Sequence, residues 1–203
     1  MDHKTLGEIA DDLRGIANLG LYYTKDGYDR ERYEKVLAIS ARLVSELENR
    51  SAEEVFSVYQ DHVGYLTPFT GAGAVVFREG KLLLIQRHDD HRWAIPGGAV
   101  EVGETPAAGA VRELFEEVGM RGRATRLLAV FDSRKWQSPF RHHLNHFNFL
   151  CESDDLPQTS PEALDVGFFA EDELPPLSQG HHLRIPMLFK LYRGEIAAPY
   201  FDQ

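Results

Sequence analysis

Residues Gly98 to Met120 read GAVEVGETPAAGAVRELFEEVGM, a glycine-containing loop that runs into a short amphipathic helix. Thr105 is placed to cap that helix, Pro106 suits a first turn that needs no amide donor, and Gly119 closes it in a left-handed conformation. The spacing predicts a helix of about thirteen residues, with Ala107, Ala110, Val111, Leu114 and Val118 on one buried stripe. Glu113, Glu116 and Glu117 share the neighbouring arc, crowded together on one accessible face.

Like charges at that spacing cost helix stability, and the stretch has no three cations to neutralise them. A divalent cation would do so. Hard ions such as Mg2+ or Mn2+ take carboxylate oxygens together with phosphate oxygens, which suits this cluster to holding metal between protein and a phosphate chain. Glu104, in the loop, is placed to accept from Arg112 or from helix amides and so hold the loop against the helix. An acidic pair alone is ordinarily a solvated helix face.

The complete spacing argues against that bland reading. Gly98, five residues, Glu104, seven residues, Arg112, Glu113, Leu114, one residue, Glu116, Glu117, one residue, Gly119 and Met120 match the Nudix box at each defined position. The chain therefore resembles the Nudix hydrolases. The resemblance implies metal ligation by Glu113, Glu116, Glu117 and the backbone carbonyl of Gly97, an anchoring or metal-associated role for Glu104, and Arg112 as its ion-pair partner. It also implies an α/β fold, specifically an α/β/α sandwich.

Composition narrows the setting. The 203 residues are 43% apolar, enough for a core, and the net charge of -10 disfavours a broad nucleic-acid footprint or an anionic membrane surface. Cys151 is the single cysteine, so no intrachain disulfide is available. The opening MDHKTLGEIADDLRG lacks a signal-peptide pattern and no apolar run approaches the ~18 residues of a membrane span, so a cytoplasmic location is expected.

N-terminal to the box, Leu6, Ile9, Ala10, Leu13, Ile16 and Ala17 predict a helix, which GLYYTKDGY interrupts. Asp29 is the expected cap of a second helix carrying Tyr33, Val36, Leu37, Ser40, Leu43, Val44 and Leu47, and Ser51 with Glu54 forms a capping box for a third. Residues 1–66 thus form a small all-α domain with more apolar stripe than it can bury, and residues 67–203 the hydrolase domain, hinged at Thr67-Pro68. The unburied stripe calls for the core or a second copy of the helical unit. This order of helices also resembles the CDP-choline pyrophosphatase group, which implies a homodimer through the N-terminal helices and cleavage of CDP-choline to CMP and phosphocholine. ADP-ribose hydrolysis, RNA-end pyrophosphohydrolysis and a ligand-sensing module without turnover remain alternatives. An isoprenoid isomerase is disfavoured, since Cys151 has no evident partner.

Strands are predicted over 72–78 and 81–87 around a Glu79-Gly80 hairpin, then 124–131, 142–150 and 165–170, with a last helix over 183–192. Trp93 reads as a core plug. Arg87 ends a strand near the box and is a candidate phosphate contact. In the loop 132–141, Trp136 and Phe140 are candidates for gripping a base, or for covering an apolar edge. Tyr22 and Tyr23 are candidate walls for a choline head. His142, His143 and His146 alternate along a strand and make no zinc site; His181 and His182 are expected at the surface. Glu162, in a late loop, is a candidate general base. The expected reaction is hydrolysis of a diphosphate linkage, with small nucleotide substrates, divalent metal and no membrane partner.

Overall fold

The computed structural model describes residues 3–136 and 143–203. The chain divides into two compact units, Met1–Thr67 and Pro68–Gln203.

The first unit holds α1 (His3–Tyr23), α2 (Gly27–Ser45) and α3 (Ala52–Gln60). The cap of α2 is Asp26 rather than Asp29: its carboxylate accepts the amides of Tyr28 at 2.7 Å and Asp29 at 3.1 Å, so the helix begins one turn early at the flexible Gly27. At α3, Ser51 and Glu54 exchange both capping-box bonds. Small residues let α1 and α2 approach. Ala10, Ala17 and Ala41 are fully buried, the Ser40 hydroxyl donates to the Ala10 carbonyl at 2.7 Å, and Gly20 lies under the Tyr33 ring. The α1 stripe is rotated from its expected position, with Leu21 inside and Ile16 59% exposed.

In the second unit, five strands form a mixed sheet in the order β5 (Gly97–Ala99), β1 (Phe69–Val75), β7 (Leu144–Glu152), β6 (Arg123–Asp132) and β9 (Tyr200–Phe201). The expectation of an unbroken strand over 72–78 is corrected here. The chain leaves β1 at Val76, whose carbonyl accepts from Leu83, and enters a second sheet of β2 (Phe77–Arg78), β3 (Lys81–Arg87), β4 (Trp93–Ala94) and β8 (Ala163–Phe169). The β2–β3 hairpin turns through Glu79 at φ 51° and Gly80 at φ 75°, the paired positive angles that match strand twist.

Side-chain alternation explains why β3 is apolar throughout. Leu82 and Leu84 enter one core with α5 (His181–Arg193), while Leu83 and Ile85 enter another with α4 (Pro106–Val118). Val75 and Ala74 divide in the same way, so the sheets are covered by a helix on each side: an α/β/α sandwich. On α4, Thr105 accepts the Ala108 amide at 3.2 Å, and Gly119 at φ 70° donates to the Phe115 carbonyl at 2.8 Å.

Candidate active site

The box helix does not present its three glutamates as one accessible face. Glu113 and Glu117 are only 9% and 8% exposed, whereas Glu116 faces solvent. The correction has a local cause: β5 lies over the helix, and its glycines leave room beneath them. A Cβ on Gly98 would collide with the Glu113 carboxylate, and a Cβ on Gly97 would lie 2.5 Å from the Ala72 carbonyl oxygen. The Gly97 amide donates to Glu117 Oε2 at 2.7 Å.

Arg112 is the hub of the site. Its guanidinium donates to Glu104 Oε1 at 2.9 Å, Glu113 Oε1 at 2.9 Å, Glu116 Oε2 at 2.7 Å and the Ala99 carbonyl at 2.9 Å. Glu104 in turn accepts the Glu101 amide at 2.7 Å and sits over Gly109, where an added Cβ would be 2.9 Å from Oε1. Helix, loop and β5 edge are thereby tied to one planar fork. The Arg112 bond holds the Glu104 carboxyl below the usual range.

One guanidinium against four carboxylates leaves an acidic surplus. Burial pushes Glu113 up, against the pull of Arg112, and pushes Glu117 up to about 8, against its bond from Gly97 and with help from Glu113 and Glu162. Among the described residues no three acidic, imidazole or thiol groups are already gathered as a metal cluster, and Arg112 bridges Glu113 and Glu116. The donor set nonetheless fits a hard divalent ion: all-oxygen ligands, two of them desolvated, in a hollow that only glycine leaves open.

The remaining candidates are distributed unevenly. Glu162, exposed just before β8, is close enough to raise both Glu113 and Glu117 electrostatically, so the fold brings it to the box. Arg87 is near enough to Glu117 to act on it, yet its fork is turned onto Asp89, with Nε 2.9 Å from Oδ1. Trp136 packs edge-on against Phe131, and its indole N–H donates to Asp202 at 2.8 Å. Phe140 and His142 lie outside the described residues. Tyr22 and Tyr23 are exposed but touch each other, centroids 4.9 Å apart, and form one patch rather than two facing walls. Trp93 stacks edge-on with Phe169, as a core residue would. His182 is exposed, but His181 is half-buried against Arg184, a correction to the expected surface position: nothing in the spacing of a final helix marks its first turn as inward-facing.

Two oppositely covered sheets carrying this acidic box define an enzyme of the phosphoanhydride-hydrolysing class. Residues 67–191 match the family model described as NUDIX domain, and the chain belongs to the Nudix family, as a pyrophosphohydrolase. Residues 4–59 match a second model, described as UDP-X-like, N-terminal oligomerisation domain. A Bacillus subtilis (strain 168) protein carrying the provisional name ADP-ribose pyrophosphatase YjhB is 37% identical over 199 residues, 96% of each chain. The crystal structure of a UDP-X diphosphatase superposes over the full length of both chains at 32% identity and a TM-score of 0.64. That of an ADP-ribose pyrophosphatase from Streptococcus suis 89-1591 covers 67% of this chain and all of its own, at 32% identity and a TM-score of 0.60. Nudix hydrolases generally use divalent metals.

Proposed function

We propose that this chain hydrolyses the diphosphate linkage of a nucleoside diphosphate joined to a second moiety, releasing a nucleoside monophosphate and the phosphorylated partner. The observation that carries the reading is the pair of buried carboxylates, Glu113 and Glu117, held under the Gly97-Gly98 edge with Glu116 exposed beside them. Glu113, Glu116, Glu117 and the Gly97 carbonyl would hold Mg2+ or Mn2+. When bound, the ion supplies Lewis acidity that offsets charge at phosphorus and acidifies water. Glu104 and Arg112 keep the loop clamped to the helix. Glu162 is the candidate base that takes the proton from the attacking water, being exposed and beside the box; one of the box glutamates is the other. Arg87 reaches a substrate phosphate once its fork leaves Asp89.

ADP-ribose is supported as substrate by the names of the Bacillus and Streptococcus relatives, while CDP-choline rests on the resemblance in the order of helices alone. A panel of ADP-ribose, CDP-choline, UDP-sugars, NADH and 5'-triphosphorylated RNA, with Mg2+ and with Mn2+ and products read by phosphorus NMR, ranks them. If every nucleoside diphosphate conjugate stays intact, the reading is wrong.

A homodimer through the first unit completes the proposal. Ile16, Leu19, Tyr22 and Tyr23 leave a run of apolar side chains exposed along α1, more than a helix with no partner ordinarily shows. Sedimentation of the full chain should give a dimer that Ile16→Glu with Leu19→Glu dissociates; an unchanged mass would remove the helices from assembly.

A further inference from the structure

The proposed reaction leaves one buried cation without employment. Arg184, in the first turn of α5, is 5% exposed. Its Nε reaches the Gly180 carbonyl only at 3.4 Å, and Nη2 lies 3.4 and 3.5 Å from the two ring nitrogens of His181. Among the described residues no carboxylate forms an ion pair with it. A guanidinium carries five N–H donors and is costly to bury without an anion, and the contacts it has here are long.

The groups around it are neutral imidazoles, each with one donor and one acceptor nitrogen, and not carboxylates. His146 projects from β7, and its buried Nε2 has no hydrogen-bond partner. Opposite it β1 carries Gly71, where a Cβ would come 3.3 Å from His146 Nδ1 and 3.4 Å from the Gly98 carbonyl oxygen. The absent side chain lets the Nδ1 side of the ring sit beside the glycine edge that covers Glu113. Burial pushes His146 down to about 3 and Arg184 down to about 10, and His181 falls well below the usual imidazole value through burial, then Arg184, then His146. Arg87, which acts on Glu117, also acts on His181, and His182 adds a further basic group. Buried Arg184 and the half-buried His146 and His181 lie together with nothing anionic among them, next to a site that handles phosphate.

We propose that Arg184, His146 and His181 form an oxyanion subsite, adjoining the glycine edge of the box, that takes a phosphate group through the free Arg184 donors and His146 Nε2. The charge kept in the core is then matched by the ligand, as forked guanidinium contacts to phosphate allow. The phosphate belongs either to the nucleotide being processed or to free inorganic phosphate. This inference rests on the diphosphate reading for its ligand, while its test does not require turnover.

The test is calorimetric titration of the full chain in EDTA with AMP, CMP, UMP, inorganic phosphate and, as control, the nucleosides. The wild type binds phosphate-bearing ligands and not nucleosides; Arg184→Met and His146→Gln weaken that binding about tenfold or more, and Arg184→Lys restores part of it. A nucleotide bound about tenfold more tightly than inorganic phosphate assigns the phosphate to the substrate, and equal affinities assign it to free phosphate. Because a buried unpaired charge is being removed, Arg184→Met keeps or raises the melting temperature of the ligand-free protein. Should Arg184→Met fail to fold, His146→Gln decides. Phosphate affinity within about twofold of wild type in these variants, or no saturable phosphate binding by the wild type, overturns the subsite. A chain that binds phosphate through Arg184 yet hydrolyses no conjugate refutes the proposed function alone.

Discussion

The Gly97 amide donates to the Glu117 carboxylate at 2.7 Å across the edge of the sheet, joining the turn before the box to the last turn of its helix. That bond requires close approach. A methyl group on Gly97 would lie 2.5 Å from the Ala72 carbonyl oxygen and 2.8 Å from Gly73 Cα, both backbone atoms that cannot rotate away. Gly97→Ala should destabilise the protein by about 2–4 kcal/mol, read as a lowered urea midpoint, and reduce hydrolysis in step. An unchanged midpoint would mean that the edge is looser than this contact implies.

Glu116 separates chemistry from folding. Its side chain is 53% exposed and bonded only to Arg112, so Glu116→Gln should leave the melting temperature of the metal-free protein nearly unchanged. The same variant should lose about a thousandfold in kcat and most of the melting-temperature rise that Mn2+ gives the wild type. A variant stabilised by Mn2+ as strongly as the wild type would exclude this carboxylate from metal binding.

Arg112→Lys tests the fork. Lysine keeps the charge but cannot span Glu104, Glu113, Glu116 and the Ala99 carbonyl at once. About 1–3 kcal/mol of stability should be lost, together with a fall in kcat of about tenfold or more. Full activity in the lysine variant would reduce Arg112 to a charge rather than a clamp.

Part of the acid sensitivity should trace to His146, with His181 acting in the same direction. Its folded value of about 3 lies below the ordinary 6.5, so between those values the unfolded chain binds a proton that the native chain refuses. The unfolded state then carries more protons, and stability falls as pH drops through that window. In metal-free urea titrations, wild-type unfolding free energy should decline more steeply than that of His146→Gln below pH 6.5, by about 1 kcal/mol per pH unit. Parallel curves would exonerate His146.

Much of the architecture was legible along the chain because its signals are local. Thr105, Pro106 and Gly119 mark the ends of α4 by capping chemistry, and Ser51 with Glu54 marks α3; the structure has both helices at those ends. The Glu79-Gly80 hairpin is similarly local. Misreadings came at one local cap and where neighbours in space decide. Asp26 displaced Asp29 as a cap because Gly27 lets the helix start earlier. The first strand broke at Val76 because Leu83 claims its carbonyl. Periodicity placed Ile16 inside, yet the small residues Ala10 and Ala17 are what α2 packs against.

By itself, the sequence determined the box: the order of Gly98, Glu104, Arg112, Glu113, Glu116 and Glu117, and a capped helix to carry them, since spacing along one helix sets which side chains share an arc. Only the tertiary structure decided what that arc faces. The β5 glycines bury Glu113 and Glu117 and leave Glu116 in water, and the meeting of β7 with α5 gathers His146, His181 and Arg184 from separate stretches. Burial and long-range charge depend on which surfaces come together, and local patterns carry no record of that.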